Sequence, residues 1–154
     1  MKLLTPDFRT ETHTGYYRID SDLGRWTEEY RGTVGLADLK VMLSCVVSDP
    51  CWRAEYHGLI DFSWAQVEMT ANEVLRLALM MKQERNRSKG WLVFVAPNST
   101  AFGMVRMLSY WSRNTDRIKI FNTRGEADHW LKQTSPSFRK AGYREMPGAM
   151  LNAV

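Results

Sequence analysis

Hydrophobic and polar positions along the chain predict alternating strands and helices. Two segments rich in β-forming residues, 15–21 and 25–34, flank the turn residues 22–24 and predict a hairpin. Charged residues in the second segment predict that one of its faces is in contact with solvent: Glu28, Glu29 and Arg31.

A first helix is predicted from Gly35 to the Asp49-Pro50 pair, which ends it. Its apolar residues recur at spacings of three and four: Leu36, Leu39, Leu43, Val46 and Val47. The next apolar segment, 54–63, predicts a core strand that stops at Asp61 and leads into a polar loop reaching Thr70.

A long second helix is predicted from Ala71 to Gly90, because Thr70 and Glu73 have the spacing of a capping box. More than half of its circumference is apolar, so we expect it also to mediate self-association into a homodimer. The continuous apolar run 91–97 predicts a central strand buried on both faces.

A third helix is predicted over 101–114, preceded by three residues that can cap it: Asn98, Ser99 and Thr100. The alternating segment 117–121 predicts a strand near the sheet edge. Thr123 and Glu126 repeat the capping-box spacing and predict a short last helix over 126–133.

The resulting order, β-β-α-β-α-β-α-β-α, predicts an α/β fold. We expect an open mixed, mostly parallel sheet of about five strands with four helices, in which the hairpin supplies one antiparallel strand. A single domain is predicted over 15–132, between an irregular segment at 1–14 and a tail at 133–154 that has no periodicity.

Composition is consistent with one globular domain, since 44% of the 154 residues are hydrophobic and 25% are charged. The first ten residues lack the apolar run of a secretory signal, and no segment is apolar enough to predict a membrane span. Without a secretory signal, Cys45 and Cys51 are expected to be reduced thiols. We therefore expect a cytoplasmic protein.

The net charge of +4 is unevenly distributed along the chain. Residues 1–77 hold 8 basic and 12 acidic residues, whereas residues 78–154 hold 13 and 5. A basic half can attract an anionic partner, but cations also favour helix C-termini and solvated faces. No nucleic-acid-binding motif accompanies the charge, so nucleic acid is not an expected partner.

Polar residues at the carboxyl ends of the predicted strands mark a candidate binding edge, where helix N-termini favour anions. They can act as helix caps alone or form a phosphate or phosphorylation site. With the neighbouring aromatic and basic side chains, the candidate edge for a ligand or partner comprises Asp61, Ser63, Trp64, Asn98, Ser99, Thr100, Phe102 and Arg106.

Sequence motifs give no support for catalysis. Dinucleotide, P-loop, zinc-protease and hydrolase motifs are absent. His13, His57 and His129 have no metal-ligand spacing, and the two cysteines lack the spacing of a redox pair. We expect no catalytic residue, no metal and no cofactor, and therefore a non-enzymatic protein.

Three segments carry a resemblance to a known family: 58–74, 89–108 and 118–131, with Phe102–Met107 and Glu126–Leu131 as the strongest parts. The chain resembles the STAS-like group of small bacterial domains, similar in fold to the anti-sigma-factor antagonist SpoIIAA and, more remotely, to CRAL-TRIO lipid-binding domains. The resemblance implies a binding or regulatory module. In antagonists of this type a loop beginning Asp-Ser/Thr is phosphorylated. Asp61 matches that aspartate but Phe62 follows it, which leaves Ser63 and Thr70 as candidate phosphoacceptors.

Two functions of different classes follow. The first is a STAS-like regulatory module that binds an unknown protein partner through the candidate edge. The alternative is a carrier of a small apolar or lipid-like ligand, held in a pocket of several hundred Å³ with basic residues at its mouth. Four side chains are predicted to flank that pocket: Trp64, Phe102, Met104 and Met107.

Overall fold

The computed structural model describes residues 2–4, 8–9, 13–84, 88–113 and 116–134. It confirms the predicted α/β fold class and element order, with two additional short strands at the N-terminus. The strands are β1 (Lys2–Leu4), β2 (Phe8–Arg9), β3 (His13–Asp20), β4 (Arg25–Val34), β5 (His57–Val67), β6 (Leu92–Val95) and β7 (Ile118–Phe121). The helices are α1 (Leu36–Ser48), α2 (Ala71–Glu84), α3 (Ser99–Trp111) and α4 (Arg124–Thr134).

The strands form one mixed sheet in the order β1-β3-β4-β5-β6-β7, and β2 also pairs with β3. Strands β4 to β7 are mutually parallel, while β3 is antiparallel to β4, as the predicted hairpin requires. The segment 1–14, for which the sequence predicts no regular structure, supplies β1, β2 and the first residues of β3. The predicted tail lies outside the described residues from position 135 onward.

The predicted loop after Asp61 is wrong, because β5 continues to Val67. Register with β4 shifts at this point: Glu29 pairs with Asp61, but Arg31 pairs with Trp64. β5 therefore carries one extra residue opposite Tyr30, which is a β-bulge. The bulge interrupts the apolar alternation, so the sequence pattern of this strand resembles a loop.

Helix caps agree with the sequence predictions. The backbone N–H of Glu73 donates to Thr70 Oγ1 at 3.2 Å, and Glu73 accepts from the Thr70 N–H at 2.9 Å. The Asn98 side chain accepts from the Ala101 N–H at 2.9 Å.

The predicted extent of α2 is wrong, since residues 88–90 are not helical. No helix of the described ranges is long and apolar enough to cross a membrane.

The two faces of the sheet are covered differently. On one face, here called the cavity face, α1, α2 and α3 enclose the larger apolar core, which includes Tyr30, Phe62 and Phe94. On the opposite face, here called the α4 face, a smaller core joins Leu59, Val93 and Val95 to α4. Helix α4 packs on this face against β5, β6 and β7.

Candidate functional site

A cavity of about 100 Å³ lies between the cavity face of the sheet and the three helices that cover it. Its wall is mostly aliphatic and aromatic, and five aromatic side chains line it: Trp26, Tyr30, Trp52, Phe62 and Phe94. A cavity this size is smaller than the ~300–1,000 Å³ of drug-sized sites and comparable with the ~150 Å³ apolar cavities that accept benzene. It therefore suits a molecule of one ring or a short chain.

A carboxyl group, that of Glu28, forms part of this apolar wall. Glu28 is 8% exposed and accepts two hydrogen bonds, from Trp26 Nε1 to Oε2 and from Tyr30 Oη to Oε1, each at 2.8 Å. The three residues alternate along β4, so their side chains share one face. Neither hydrogen-bond partner is a cation, and a buried carboxylate without a cationic partner is strongly disfavoured.

Burial raises the pKa of Glu28, and the hydrogen bonds from Trp26 and Tyr30 offset only part of that effect. Burial also raises the pKa of Tyr30 well above its ordinary value, with the neighbouring Glu28 adding to the shift. Both groups are therefore shifted towards their neutral forms.

A second polar group in the wall is the indole of Trp52, in the segment between α1 and β5. Its ring packs edge-on against Trp26, with 6.1 Å between centroids. Among the described residues its Nε1 is buried and has no hydrogen-bond partner. A buried N–H without an acceptor costs about 1–3 kcal/mol, so this indole has unused hydrogen-bonding capacity.

The α4 face carries a network of charged groups centred on Arg124, the first residue of α4. Its Nη1 lies 2.9 Å from Asp61 Oδ2 and 3.1 Å from Glu29 Oε2. The side chain of Asp61 is 7% exposed and that of Arg124 is 28% exposed. The second Asp61 oxygen accepts from the backbone N–H and the hydroxyl of Ser63 at the bulge.

The network of charged groups continues from Arg124 along α4 and from Glu29 to β3. Asp128, one turn along α4, lies 3.4 Å from Arg124 Nε and 3.4 Å from Arg25 Nη2. Tyr16 on β3 donates to Glu29, which raises the pKa of the Tyr16 hydroxyl. These contacts join β3, β4, β5 and α4, and they account for the burial of Asp61 as a packing feature of the fold.

The predicted edge residues do not form one site. Asp61 and Ser63 contact each other in β5, and Arg106 lies over the Phe102 ring at 5.9 Å from its centroid. Asn98 caps α3, with Ser99 and Thr100 exposed in its first turn. Trp64 is 75% exposed on β5, and the burial of Ala65 and Val67 in the larger core places it on the α4 face.

The predicted ligand pocket is also divided. Of its four flanking side chains, Met104 alone lines the cavity at the sheet. Met104 and Met107 line a surface groove of about 330 Å³ between α2 and α3 that also contains Ser99 and Thr100. Phe102 borders a groove of about 390 Å³ beside α4. Both larger spaces are bordered by exposed residues, whereas the cavity is lined mainly by residues of the larger core and by partly buried neighbours.

Both candidate phosphoacceptors are hydrogen-bonded. Ser63 donates to the buried Asp61 carboxylate, so a phosphate there would be placed beside an existing negative charge. Thr70 is the cap of α2, where a helix N-terminus favours added negative charge.

His57 is a strand residue whose Nδ1 accepts from the Trp91 N–H at 2.9 Å. Burial, followed by the charge of Arg25, lowers its pKa.

Sequence reasoning missed the Glu28 group and the Arg124 network. A glutamate flanked at both second neighbours by aromatic residues, Trp26 and Tyr30, is the local signal for a buried carboxyl. Its charge instead favoured a solvent-facing position, and that interpretation is wrong for Glu28. For Arg124 the only local signal is the i,i+4 spacing to Asp128, because its other partners, Glu29 and Asp61, are 95 and 63 residues away in sequence.

Within the described ranges, no group of three or more His, Cys, Asp or Glu side chains is placed to hold a metal ion.

No family model matches the chain, and no curated protein matches it. Its structure is similar to that of an uncharacterized protein of the DUF3478 family with a SpoIIAA-like fold, from Shewanella loihica PV-4. The two share 14% identity, covering 84% of this chain and 93% of the other, with a TM-score of 0.48.

Proposed function

We propose that this protein binds a small, mostly apolar molecule in the cavity between the sheet and helices α1, α2 and α3. The observation that supports this function best is the Glu28 carboxyl in a mostly apolar wall. An apolar residue would fill that position without the desolvation cost of a carboxyl group, so its presence favours a role in recognition. The indole N–H of Trp52, which has no hydrogen-bond partner among the described residues, supports the same conclusion.

The volume of the cavity limits the size of the ligand that it can hold. About 100 Å³ accommodates a single ring or a short chain but not a complete lipid. We therefore propose small molecules, and not complete lipids, as ligands of this cavity.

Binding can be tested with methylcyclopentane and cyclopentanone, using the indole N–H resonances of Trp26 and Trp52 as local reporters. We expect at least one probe to shift these two resonances and to stabilise the fold, by about 2.7 kcal/mol at a hundredfold excess over Kd. If neither probe has either effect, the proposed function is wrong.

Two substitutions on α2 provide a matched control. Leu77 is 5% exposed in the cavity wall, whereas Leu79, two residues later, is 51% exposed. We expect Leu77→Phe to fill the cavity and weaken binding at least tenfold, and Leu79→Phe to leave it unchanged. Urea unfolding of each variant shows whether the larger side chain is tolerated, since overpacking costs about 1–3 kcal/mol. Equal affinities in the two variants would contradict this location of the site.

A second candidate function, protein interaction, is supported by the 75% exposure of Trp64. A photo-crosslinking residue in place of Trp64 is expected to capture one defined partner in the host. The same residue at Tyr110, which is 73% exposed on α3, serves as the control. Capture from both positions, or from neither, would argue against this interaction.

A further inference from the structure

The hydrogen bonds around Glu28 place a condition on the molecule that the cavity takes, provided that the proposed function is correct. Trp26 Nε1 can only donate, so Glu28 Oε2 always acts as an acceptor. The contact between Glu28 Oε1 and Tyr30 Oη is different, because a hydroxyl can donate or accept. Its direction therefore depends on whether Glu28 carries a proton.

When Glu28 is ionised, the Tyr30 hydroxyl donates to Oε1 and its only hydrogen is used. When Glu28 is protonated, the proton lies on Oε1 and is donated to Tyr30 Oη. The Tyr30 hydrogen is then released, and an oxygen of a molecule in the cavity can accept it. Trp52 also lines the cavity, and its Nε1, which has no hydrogen-bond partner among the described residues, is a candidate second donor.

Other charged and titratable groups near this triad are few among the described residues. On α1, Asp38 acts on Tyr30 electrostatically and further disfavours its ionised form. Cys51, beside Trp52, packs against the same core. Before β7, Arg117 lines the cavity and its Nη1 donates to the Ser88 carbonyl at 3.2 Å. The side chains that α2 and α3 contribute are apolar: Leu77, Met81, Met104 and Leu108.

We propose that the ligand carries a hydrogen-bond acceptor, such as a ketone or ester oxygen, and binds the form of the protein in which the Glu28 carboxyl is neutral. Binding is then coupled to proton uptake, and affinity decreases as pH rises and Glu28 ionises. A cationic amine would show the opposite pH dependence, because it would pair with the ionised carboxylate.

The experiment compares three probes of similar shape on the full chain between pH 5 and pH 8: cyclopentanone, methylcyclopentane and cyclopentylamine. The Trp26 and Trp52 indole resonances report binding. At pH 5 we expect the ketone to bind roughly two- to tenfold more tightly than the hydrocarbon, which corresponds to one net hydrogen bond. As pH rises and Glu28 ionises, the ketone affinity should fall towards that of the hydrocarbon.

Two variants test the roles of the hydrogen bonds. Glu28→Gln imitates the neutral acid, since its amide oxygen accepts from Trp26 and its amide N–H donates to Tyr30. We expect it to retain the ketone preference at every pH and to lose the pH dependence. Tyr30→Phe removes the released donor, so the ketone and hydrocarbon should bind more nearly alike.

The outcomes separate this inference from the proposed function. If no probe binds the wild-type protein, both are overturned. If the hydrocarbon and the ketone bind equally at every pH, or if Glu28→Gln loses ketone binding, the function stands and the acceptor inference is overturned. The inference is also overturned if the amine binds most tightly with an affinity that rises with pH. A native-like indole spectrum shows that each variant is folded.

Discussion

Replacing Asp61 with asparagine tests the importance of the Arg124 network for stability. The Asp61 carboxylate receives two donors from Ser63 on one oxygen and Arg124 Nη1 on the other. An asparagine has one oxygen and one NH₂ group, so in either orientation its NH₂ faces a donor. The substitution therefore removes the ion pair and leaves a buried donor facing another donor.

The magnitude follows from burial. Losing one partner of a fully buried pair costs about 3–5 kcal/mol. Arg124 is 28% exposed and retains Glu29 at 3.1 Å, which lowers the expected cost to about 2–4 kcal/mol. Asp128→Asn is the matched control, because Asp128 contacts the same guanidinium but is 34% exposed. Its expected cost is at most about 1 kcal/mol.

Urea unfolding followed by tryptophan fluorescence measures both costs, provided that the slope with denaturant is unchanged. At this chain length 1 kcal/mol corresponds to roughly 2–4 °C in Tm. In a chain that already carries Arg124→Met, Asp61→Asn should cost less than about 1 kcal/mol, because the ion pair is absent. Equal costs for Asp61→Asn and Asp128→Asn, or an unchanged cost in the Arg124→Met chain, would refute this reasoning.

Three further predictions concern pH and backbone space. Because the pKa of Glu28 is raised in the folded protein, the stability that its neutral form contributes is lost as pH rises and the carboxyl ionises. Glutamine cannot ionise, so the Glu28→Gln variant should have a higher urea midpoint than wild type, and this difference should be larger at pH 8 than at pH 5. Because the pKa of His57 is lowered, the stability of the Glu28→Gln chain, which lacks the opposing effect of Glu28, should fall as pH drops below about 6.5, and a flat profile there would contradict this. A methyl group added at Gly90 would meet the Tyr56 carbonyl oxygen at 2.2 Å, whereas at Gly103 in α3 it meets nothing within 4 Å. Gly90→Ala should therefore lower Tm, while Gly103→Ala should stabilise by up to about 1 kcal/mol.

Local sequence signals predicted the parts of the fold that depend on neighbouring residues. The caps at Thr70 and Asn98 depend on atoms three residues away, and the structure contains both. The strand β5 was predicted too short because its bulge resets the alternation between Asp61 and Trp64. A bulge is set by pairing with β4, which single-strand periodicity does not describe.

The candidate site was harder to predict for a related reason. The sequence placed the chemistry at the carboxyl ends of the strands, where Ser and Thr residues are concentrated. In the structure, much of that polarity is used in caps and in the Asp61 network. The cavity polarity instead comes from a glutamate whose two donors lie on its own strand, with Trp52 reaching the same wall from a distant segment.

Strand β4 connects the two polar features of the sheet. Glu28 faces the cavity and Glu29, the next residue, faces α4 and pairs with Arg124. Because side chains alternate along a strand, a slip of one residue would place each carboxyl in the environment of the other. The Glu29 to Arg124 ion pair and the Asp61 contacts at the bulge oppose such a slip. The network on the α4 face thus helps to hold Glu28 in position at the cavity on the opposite face.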